Sequence, residues 1–401
     1  MATRIIYIVA GEPSGDRLGA ELMRALRRRS ADEIRFEGVG GPLMEAEGLR
    51  SLFPISDIAV LGVFEILPRL RLLLRRIDET ARACVASGAE ALITIDAPGF
   101  SLRVAPKVKA ARPQIRTIHY VAPSVWAWRP NRAKLMARHT DHVLALLPFE
   151  PPYMTEVGMG CDFVGHPIAE LEPPAAEAVE GFRAGFPSRP ILLVLLGSRR
   201  SEVARLGPIF GETVARLAKV VPGLQVVVPA AGSVIDEVEA MVAGWPVPVT
   251  LLDPRGMAPG EAEARKFLAF AGADAALAAS GTVVMELAAM GCPMVAAYRL
   301  NGLTAFVVRR LLRVKSGNLV NLLTRSEAVP EFYQEACTPE ALSGALLPLF
   351  MRGPERAAQL AAEAEAMRAI GRGGEPPSDR AAAAVLRVLG APQDAGFIPA
   401  V

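Results

Sequence analysis

Ile5-Ile6-Tyr7-Ile8-Val9-Ala10-Gly11-Glu12-Pro13-Ser14-Gly15-Asp16 opens the chain with an uncharged apolar run that stops at a glycine and gives way to a polar turn. Such a run reads as a strand buried on both faces, and the amphipathic stretch 17–29 that follows it reads as a helix. The unit recurs as 91–95 before 102–111, 117–121 before 131–139, and then 143–147. It starts afresh at 191–196 with a helix near 203–217, then 225–228 with a helix near 234–242, 249–252, and 274–278. Strand and helix in alternation form parallel βαβ units. Two such series in 401 residues predict two doubly wound α/β domains, since one core rarely grows to that size. The Pro-, Ala- and Glu-rich stretch 169–190 shows no strand pattern and is expected to be a linker. It would divide an N-terminal domain, 1–168, from a C-terminal domain, 191–353, leaving an Ala-rich helical tail, 354–401, broken at 371–377.

The composition removes several classes of function. Hydrophobic residues make up 51% of the chain, yet no window nears the ~20 uninterrupted apolar residues of a membrane span. The opening run is too short for a secretory signal and Glu12 follows it closely, so a cytoplasmic protein, soluble or peripheral, is expected. Cys84, Cys161, Cys292 and Cys337 lack metal-ligand spacing, and His119, His139, His142 and His166 form no zinc motif. Neither a metal nor a cofactor is therefore expected. A net charge of +2 gives no argument for nucleic acid.

Ligands of open α/β sheets bind beyond the carboxyl ends of the strands, and the chemically informative loops all follow strands. Gly11, Glu12, Ser14 and Gly15 form a small-residue turn that fits neither the dinucleotide nor the triphosphatase glycine pattern. Its glycines allow positive φ and close approach, while Ser14 and Asp16 suit either a helix cap or a ligand. Asp96 ends a strand ahead of Ala97-Pro98-Gly99, where it reads either as a general base or as an Asx-turn. Ser198 and Arg199 follow 191–196, and a guanidinium there suits a diphosphate. The plainer reading is a surface ion-pair cluster in which Glu202 pairs with Arg200 or Arg205. Ser280, Gly281 and Thr282 open a helix, so their three backbone N–H groups and the helix dipole suit a pyrophosphate, with Glu286 placed for ribose hydroxyls. Plain capping is the alternative.

Three further segments stand out. Residues 67–77 put leucines on one helical face and Arg69, Arg71, Arg75 and Arg76 on another, and 307–314 repeats the arrangement. Such helices either lie on an anionic membrane or face a core with a solvated back. The apolar run 58–64 strengthens the membrane reading by offering surface for acyl chains. Trp126 and Trp128, with Arg129, Arg132 and Lys134 close behind, suit stacking on a base or packing of their loop onto the domain.

Together these motifs resemble the lipid-A-disaccharide synthase family of two-Rossmann (GT-B) glycosyltransferases, in which two doubly wound domains face each other across a cleft. The resemblance runs through Ala10–Asp16, Gly38-Val39-Gly40-Gly41-Pro42, Pro123-Ser124-Val125-Trp126-Ala127-Trp128-Arg129, Gly165-His166-Pro167, Gly197-Ser198-Arg199-Arg200-Ser201-Glu202, Ser280-Gly281-Thr282 and Val329-Pro330-Glu331-Phe332-Tyr333-Gln334. It covers nearly the whole chain, and the tryptophan loop and the Pro-Glu-Phe run are particular to that family. It implies metal-free inverting transfer of a diacylated glucosamine from UDP to the 6-hydroxyl of 2,3-diacylglucosamine 1-phosphate (lipid X), giving a β-1,6 disaccharide and UDP. On that reading Asp96 is the base, Arg199 and residues 280–282 steady the diphosphate, Glu286 lies near the ribose, and Asn321 matches the family's uridine-side asparagine. It further implies peripheral attachment to the cytoplasmic face of the inner membrane and a homodimer with swapped C-terminal segments. Leu196 and Val320 stand where the family usually has proline, Ser101 where it has Asn or Thr, and Pro13 where it has Ala.

Two other readings compete. One is a different UDP-N-acetylglucosamine enzyme of the same architecture, either an epimerase or a transferase with a lipid-linked acceptor. The other is a catalytically silent nucleotide- or lipid-binding scaffold. A strand-tip carboxylate together with Arg199 and a phosphate seat is more than a binder needs.

Overall fold

The computed structural model describes residues 3–59, 63–186, 190–301, 314 and 316–390, with the side chains of 63–68 and 259 left aside. The chain divides into two compact units, one formed by 1–170 with 370–401 and the other by 171–369.

The first unit holds a six-stranded parallel sheet built from β1 (Thr3–Ala10), β2 (Glu33–Val39), β3 (Ala91–Ile95), β4 (Arg116–Tyr120), β5 (His142–Ala145) and β6 (Gly160–Phe163), in the order β2-β1-β3-β4-β5-β6. Its central strands β3 and β4 are mostly apolar and, Arg116 apart, buried on both faces, with Thr94, Thr117 and His119 as the buried polar residues, as suits parallel strands covered by helices. The helix Pro13–Arg29 leaves β1 with proline in its first turn and three arginines in its last, in accord with the helix dipole. Tyr7, Val9, Ile77, Leu92, Phe100, Val104 and Val108 form the core on one face of this sheet.

The second unit repeats the plan with β7 (Ile191–Leu195), β8 (Gln225–Pro229), β9 (Val249–Leu252), β10 (Ala275–Ala279), β11 (Met294–Tyr298) and β12 (Glu331–Tyr333), all parallel, in the order β12-β11-β10-β7-β8-β9. Its core packs Leu192, Val194, Phe210, Val214, Leu277 and Leu346 between sheet and helices.

Both sheets change direction beside their first strand. In the first unit the order runs outward from β1 to β2 on one side and from β3 to β6 on the other; in the second it runs from β7 to β9 and from β10 to β12. Loops diverge at such a switch point and leave a crevice at the strand ends. The loops that flank the two crevices are 11–16 with 96–99, and 197–200 with 280–282.

Two expected boundaries move. Stretch 169–190 is not a bare linker, because Ala and Glu favour helix there: Ala176–Ala184 forms and packs on helix Pro259–Gly272 of the second unit. Arg183 fixes the contact, donating to the Gly272 carbonyl at 2.5 Å and to both Asp274 carboxylate oxygens at 3.1 Å. The tail is not one segment either. Helix Pro354–Ala369 stays with the second unit, whereas Pro377–Val388 belongs to the first and packs along Pro13–Arg29 of its own chain. Arg28 pairs with Asp379 at 2.5 Å and Arg29 with Glu375 at 2.5 Å across that contact.

Candidate active site

At the first switch point the loops after β1 and β3 touch. A Cβ on Gly11 would lie 2.4 Å from the Ala97 Cβ, so only glycine fits there. Positive φ, expected at Gly11 or Gly15, falls instead on Asp96 and Ala97, both at 44°. A non-glycine residue adopts that conformation only under constraint. Here the constraint includes the Asp96 N–H, which donates to the Tyr120 carbonyl of the next strand at 2.9 Å. The turn brings the Asp96 carboxyl against that of Glu12, and burial first, then the Glu12 charge and a hydrogen bond shared with it, push the Asp96 pKa up to about 6. The Ala97 N–H opposes these effects in part.

Glu12 holds the N-cap position of helix Pro13–Arg29 without capping it, and its Oε1 accepts from the exposed Ser14 hydroxyl at 2.5 Å. Gly15 lies over the β1–β3 seam, where a Cβ would meet Ala10 and Ile95 at 3.5 Å. Asp16 caps a different helix from the one it starts: its buried carboxylate accepts from the N–H groups of Gly41, Leu43 and Met44 at 2.8–3.1 Å and closes the start of Pro42–Ala46. This explains the Gly40-Gly41-Pro42 run, because a Cβ on Gly41 would reach Asp16 Oδ2 at 2.6 Å.

The second switch point is organised by Glu202. Gly197, at φ +98°, turns the chain directly over this carboxylate, and a Cβ there would stand 2.4 Å from its Oε2. Glu202 Oε2 accepts from the N–H groups of Ser198 at 3.0 Å and Arg199 at 3.3 Å, and Oε1 from Arg199 Nη1 at 3.1 Å and the Tyr298 hydroxyl at 3.3 Å. Its partner is therefore Arg199, not Arg200 or Arg205; Arg200 pairs with Glu237 at 2.6 Å. Arg199 keeps 63% of its side chain exposed while Glu202 keeps 10%, so the guanidinium is tethered at one edge and open elsewhere.

Across this crevice, Thr282 occupies the N-cap position of the seven-residue helix Val283–Ala289 with no capping bond from its side chain. The expected triad of donors is reduced, because the Ser280 N–H donates to the Ala297 carbonyl at 2.9 Å within the sheet. Gly281 and Thr282 are exposed, with open space where a Gly281 Cβ would stand. Glu286 is gripped by Lys266, whose ammonium lies 3.1 and 3.0 Å from its two oxygens and 4.5 Å from the Phe267 ring centroid. Tyr333 hydrogen-bonds the Ser280 side chain and donates to Glu331 Oε1 at 2.6 Å, and burial raises its pKa.

Asn321 is 4% exposed, and its amide is engaged on both sides by Val329, donating to the carbonyl at 2.8 Å and accepting from the N–H at 3.0 Å. It thus shapes the loop that leads into β12. Glu202, Lys266, Tyr298 and Tyr333 were not singled out as site residues. Only Glu202 carried a signal, its place one turn into the helix after Gly197-Ser198-Arg199.

The tryptophan loop packs onto the first unit through Trp126, whose Nε1 donates to Glu150 Oε1 at 3.2 Å and whose ring meets Phe149 edge-on at 5.1 Å. In helix Val63–Ser87, Ile77 is 1% exposed and belongs to the core, whereas Leu70 and Leu74 are 41% and 46% exposed. Arg76 leaves the basic face to pair with Asp57 and Glu79 at 2.5 and 2.7 Å. Ile58 is buried at 5%, so it offers no acyl surface. Residues 60–62 and 307–313 lie outside the described residues. No helix among the described residues is long and apolar enough to cross a membrane, and none of their His, Cys, Asp and Glu side chains form a metal-ligand group.

Comparison with known proteins gives the family and the fold. The family profile described as lipid-A-disaccharide synthetase matches residues 6–384. A lipid-A-disaccharide synthase from Ruegeria pomeroyi is 52% identical over 95% of this chain and 94% of its own length. Another from Rhodospirillum centenum is 47% identical over 97% and 96%. Among solved structures, the S. aureus MnaA–UDP co-structure aligns with a TM-score of 0.63 at 13% identity, covering 98% of this chain and 100% of that one. The UDP-GlcNAc 2-epimerase from Neisseria meningitidis bound to UDP-GlcNAc aligns at 0.59 and 11%, covering 96% and 99%. At those identities the structures establish the fold alone, the two-Rossmann architecture. The near-full-length sequence matches go further: the chain belongs to the lipid-A-disaccharide synthase family.

Proposed function

We propose that this chain is an inverting hexosyltransferase that joins UDP-2,3-diacylglucosamine to 2,3-diacylglucosamine 1-phosphate, releasing UDP and a β-1,6-linked disaccharide 1-phosphate. The observation that carries the reading is identity of 52% spread over 95% of the chain, with a carboxylate pair at the switch point of the first unit as its chemical counterpart. The first unit supplies the base. Asp96, ionised above about pH 6, takes the proton of the acceptor 6-hydroxyl as the oxygen attacks C1 of the donor. The new C1–O6 bond forms on the face opposite the breaking C1–O bond, whose electron pair leaves with UDP. Glu12 tunes Asp96 by withholding full ionisation until the pH passes that point.

The second unit supplies the nucleotide seat. Arg199 and the N–H groups of Gly281 and Thr282 offer positive charge to the departing diphosphate, and Ser198, Ser280 and Tyr333 complete its polar lining. Glu286, steadied by Lys266, presents oxygens to the ribose. Asn321 acts through the Val329 backbone, holding the loop instead of touching the base.

Exposed Leu70 and Leu74 among arginines suit a peripheral seat on an anionic bilayer, where the acyl chains of both substrates are anchored. On this reading the protein works at the cytoplasmic face of the inner membrane. The test is product analysis: purified protein given both substrates should yield UDP and a disaccharide 1-phosphate whose new linkage is β by nuclear magnetic resonance. A product with an α linkage, or conversion of the UDP-sugar without an acceptor, would refute it.

A further inference from the structure

The loop after β4 carries a cationic feature that the transfer chemistry above leaves unused. Trp128 is 37% exposed, and two guanidinium groups lie against its ring, Arg129 with its central carbon 4.0 Å from the centroid and Arg132 at 5.9 Å. Cation–π contact holds both side chains in place. Neither is paired with a carboxylate among the described residues, although Arg4, Arg24, Arg28, Arg35 and Arg76 of the same unit all are.

The groups around the pair do not relieve its charge. Arg132 is half-buried, and burial together with the Arg129 charge lowers its pKa. His119, the other titratable group that interacts with Arg132, is fully buried and held near 4 by burial, so it is neutral at physiological pH. The loop itself is rigidly founded: the Glu150 carboxylate that receives Trp126 also accepts from the N–H groups of Leu146 and Leu147 at 3.1 and 3.0 Å. Two like charges, one partly desolvated, fixed side by side without a counterion, are an arrangement that a doubly charged anion completes.

Position narrows the anion. The loop leaves β4 at Tyr120, the residue whose carbonyl receives the Asp96 N–H, so it rises at the same sheet edge as the base, one strand over. Neighbouring strands stand about 4.8 Å apart, and Arg132 interacts with His119 of β4 itself, so the arginine side chains stay with the strand beside the base. We infer that Arg129 and Arg132, braced on Trp128, bind a phosphomonoester, the 1-phosphate of the acceptor sugar, and thereby set acceptor specificity. This rests on the reaction proposed above. A bilayer headgroup offers similar phosphate chemistry, but it has no need to lie beside Asp96.

The test compares two acceptors in neutral detergent micelles, 2,3-diacylglucosamine 1-phosphate and 2,3-diacylglucosamine without the phosphate, using wild type, Arg129→Gln, Arg132→Gln and the double variant. The expected result is a wild-type kcat/KM that favours the phosphorylated acceptor and a preference that falls about tenfold or more in the double variant, with the KM for the UDP-sugar unchanged as a check on folding. A variant with Arg129→Lys and Arg132→Lys should keep part of the preference. An unaltered preference in the double variant, or no preference in wild type, overturns the seat while leaving the reaction standing. Loss of binding to phosphatidylglycerol vesicles with the acceptor preference intact overturns it in favour of a headgroup site. A wild type that makes no disaccharide from either acceptor removes the reaction and the seat together.

Discussion

The carboxyl groups of Glu12 and Asp96 share a hydrogen bond at the point where the first sheet reverses its strand order. Two carboxyl groups that share a hydrogen bond do not ionise independently, so the pair sets the lower pH limit of activity. Activity should fall below about pH 6, where Asp96 holds its proton. Glu12→Gln removes a negative charge and supplies an amide donor, and both changes favour ionised Asp96. The acid limb of the kcat/KM profile should therefore move to lower pH in this variant. A limb that stays in place would show that Asp96 titrates without reference to Glu12.

Glu202 and Arg199 should separate stability from turnover. Glu202 is nearly buried and accepts four hydrogen bonds, so Glu202→Ala leaves the Ser198 and Arg199 N–H groups unmatched and should cost about 1–3 kcal/mol in stability. Arg199 is mostly exposed, and Arg199→Gln should change stability by no more than ~0.5 kcal/mol while lowering kcat on the order of a hundredfold. Denaturant melts beside steady-state rates check both; a strongly destabilised Arg199→Gln protein would reverse the assignment.

How much of this was legible in the sequence depended on whether a residue's partner was local. Strands 5–10, 91–95 and 191–196 announce themselves because burial on both faces favours near-continuous apolar runs, with Thr94 the one interruption. Glu33–Val39 shows no unbroken apolar run: as an edge strand it alternates polar and apolar residues, a fainter signal than that of the doubly buried strands, and its burial pattern follows the alternation. Glu331–Tyr333 is too short to show any period. The four loops at the switch points are readable as small-residue breaks after strands. What they would meet was not, since the Glu12–Asp96, Glu286–Lys266 and Asp16–Gly41 contacts join segments that only the crossover order brings together. The linker was misjudged because absence of strand pattern says nothing against an Ala–Glu helix such as Ala176–Ala184.

Glu363 predicts a loss of stability as pH rises from weakly acid to mildly alkaline values. It is 1% exposed with neither carboxyl oxygen hydrogen-bonded, and burial pushes its pKa up to about 8. A carboxyl whose folded pKa exceeds its unfolded value stabilises the fold most when protonated, and that contribution is lost as pH rises from about 4.5 through 8. Glu363→Gln, uncharged at every pH, should flatten the decline, with the gap in melting temperature from wild type widening between pH 6 and about pH 9. Parallel pH dependence in the two proteins would contradict this.

Leu70 and Leu74 should govern attachment to membranes. Each leucine moved from water into the acyl boundary gains about 1.5–3 kcal/mol, so Leu70→Ser with Leu74→Ser should reduce sedimentation with anionic vesicles at least tenfold. Their exposure of 41% and 46% implies that the melting temperature stays near that of wild type. Undiminished vesicle binding would exclude this face as the contact.

If Asp96 is the base of a glycosyl transfer, its removal must separate turnover from nucleotide binding, and Asp96→Ala measured for both rate and UDP affinity decides the point. With both diacylated substrates and no added metal, the wild type should form the disaccharide 1-phosphate, while the variant should lose at least a hundredfold in kcat and bind UDP with unchanged affinity. A variant that still turns over at the wild-type rate, with UDP bound as before, would contradict the account.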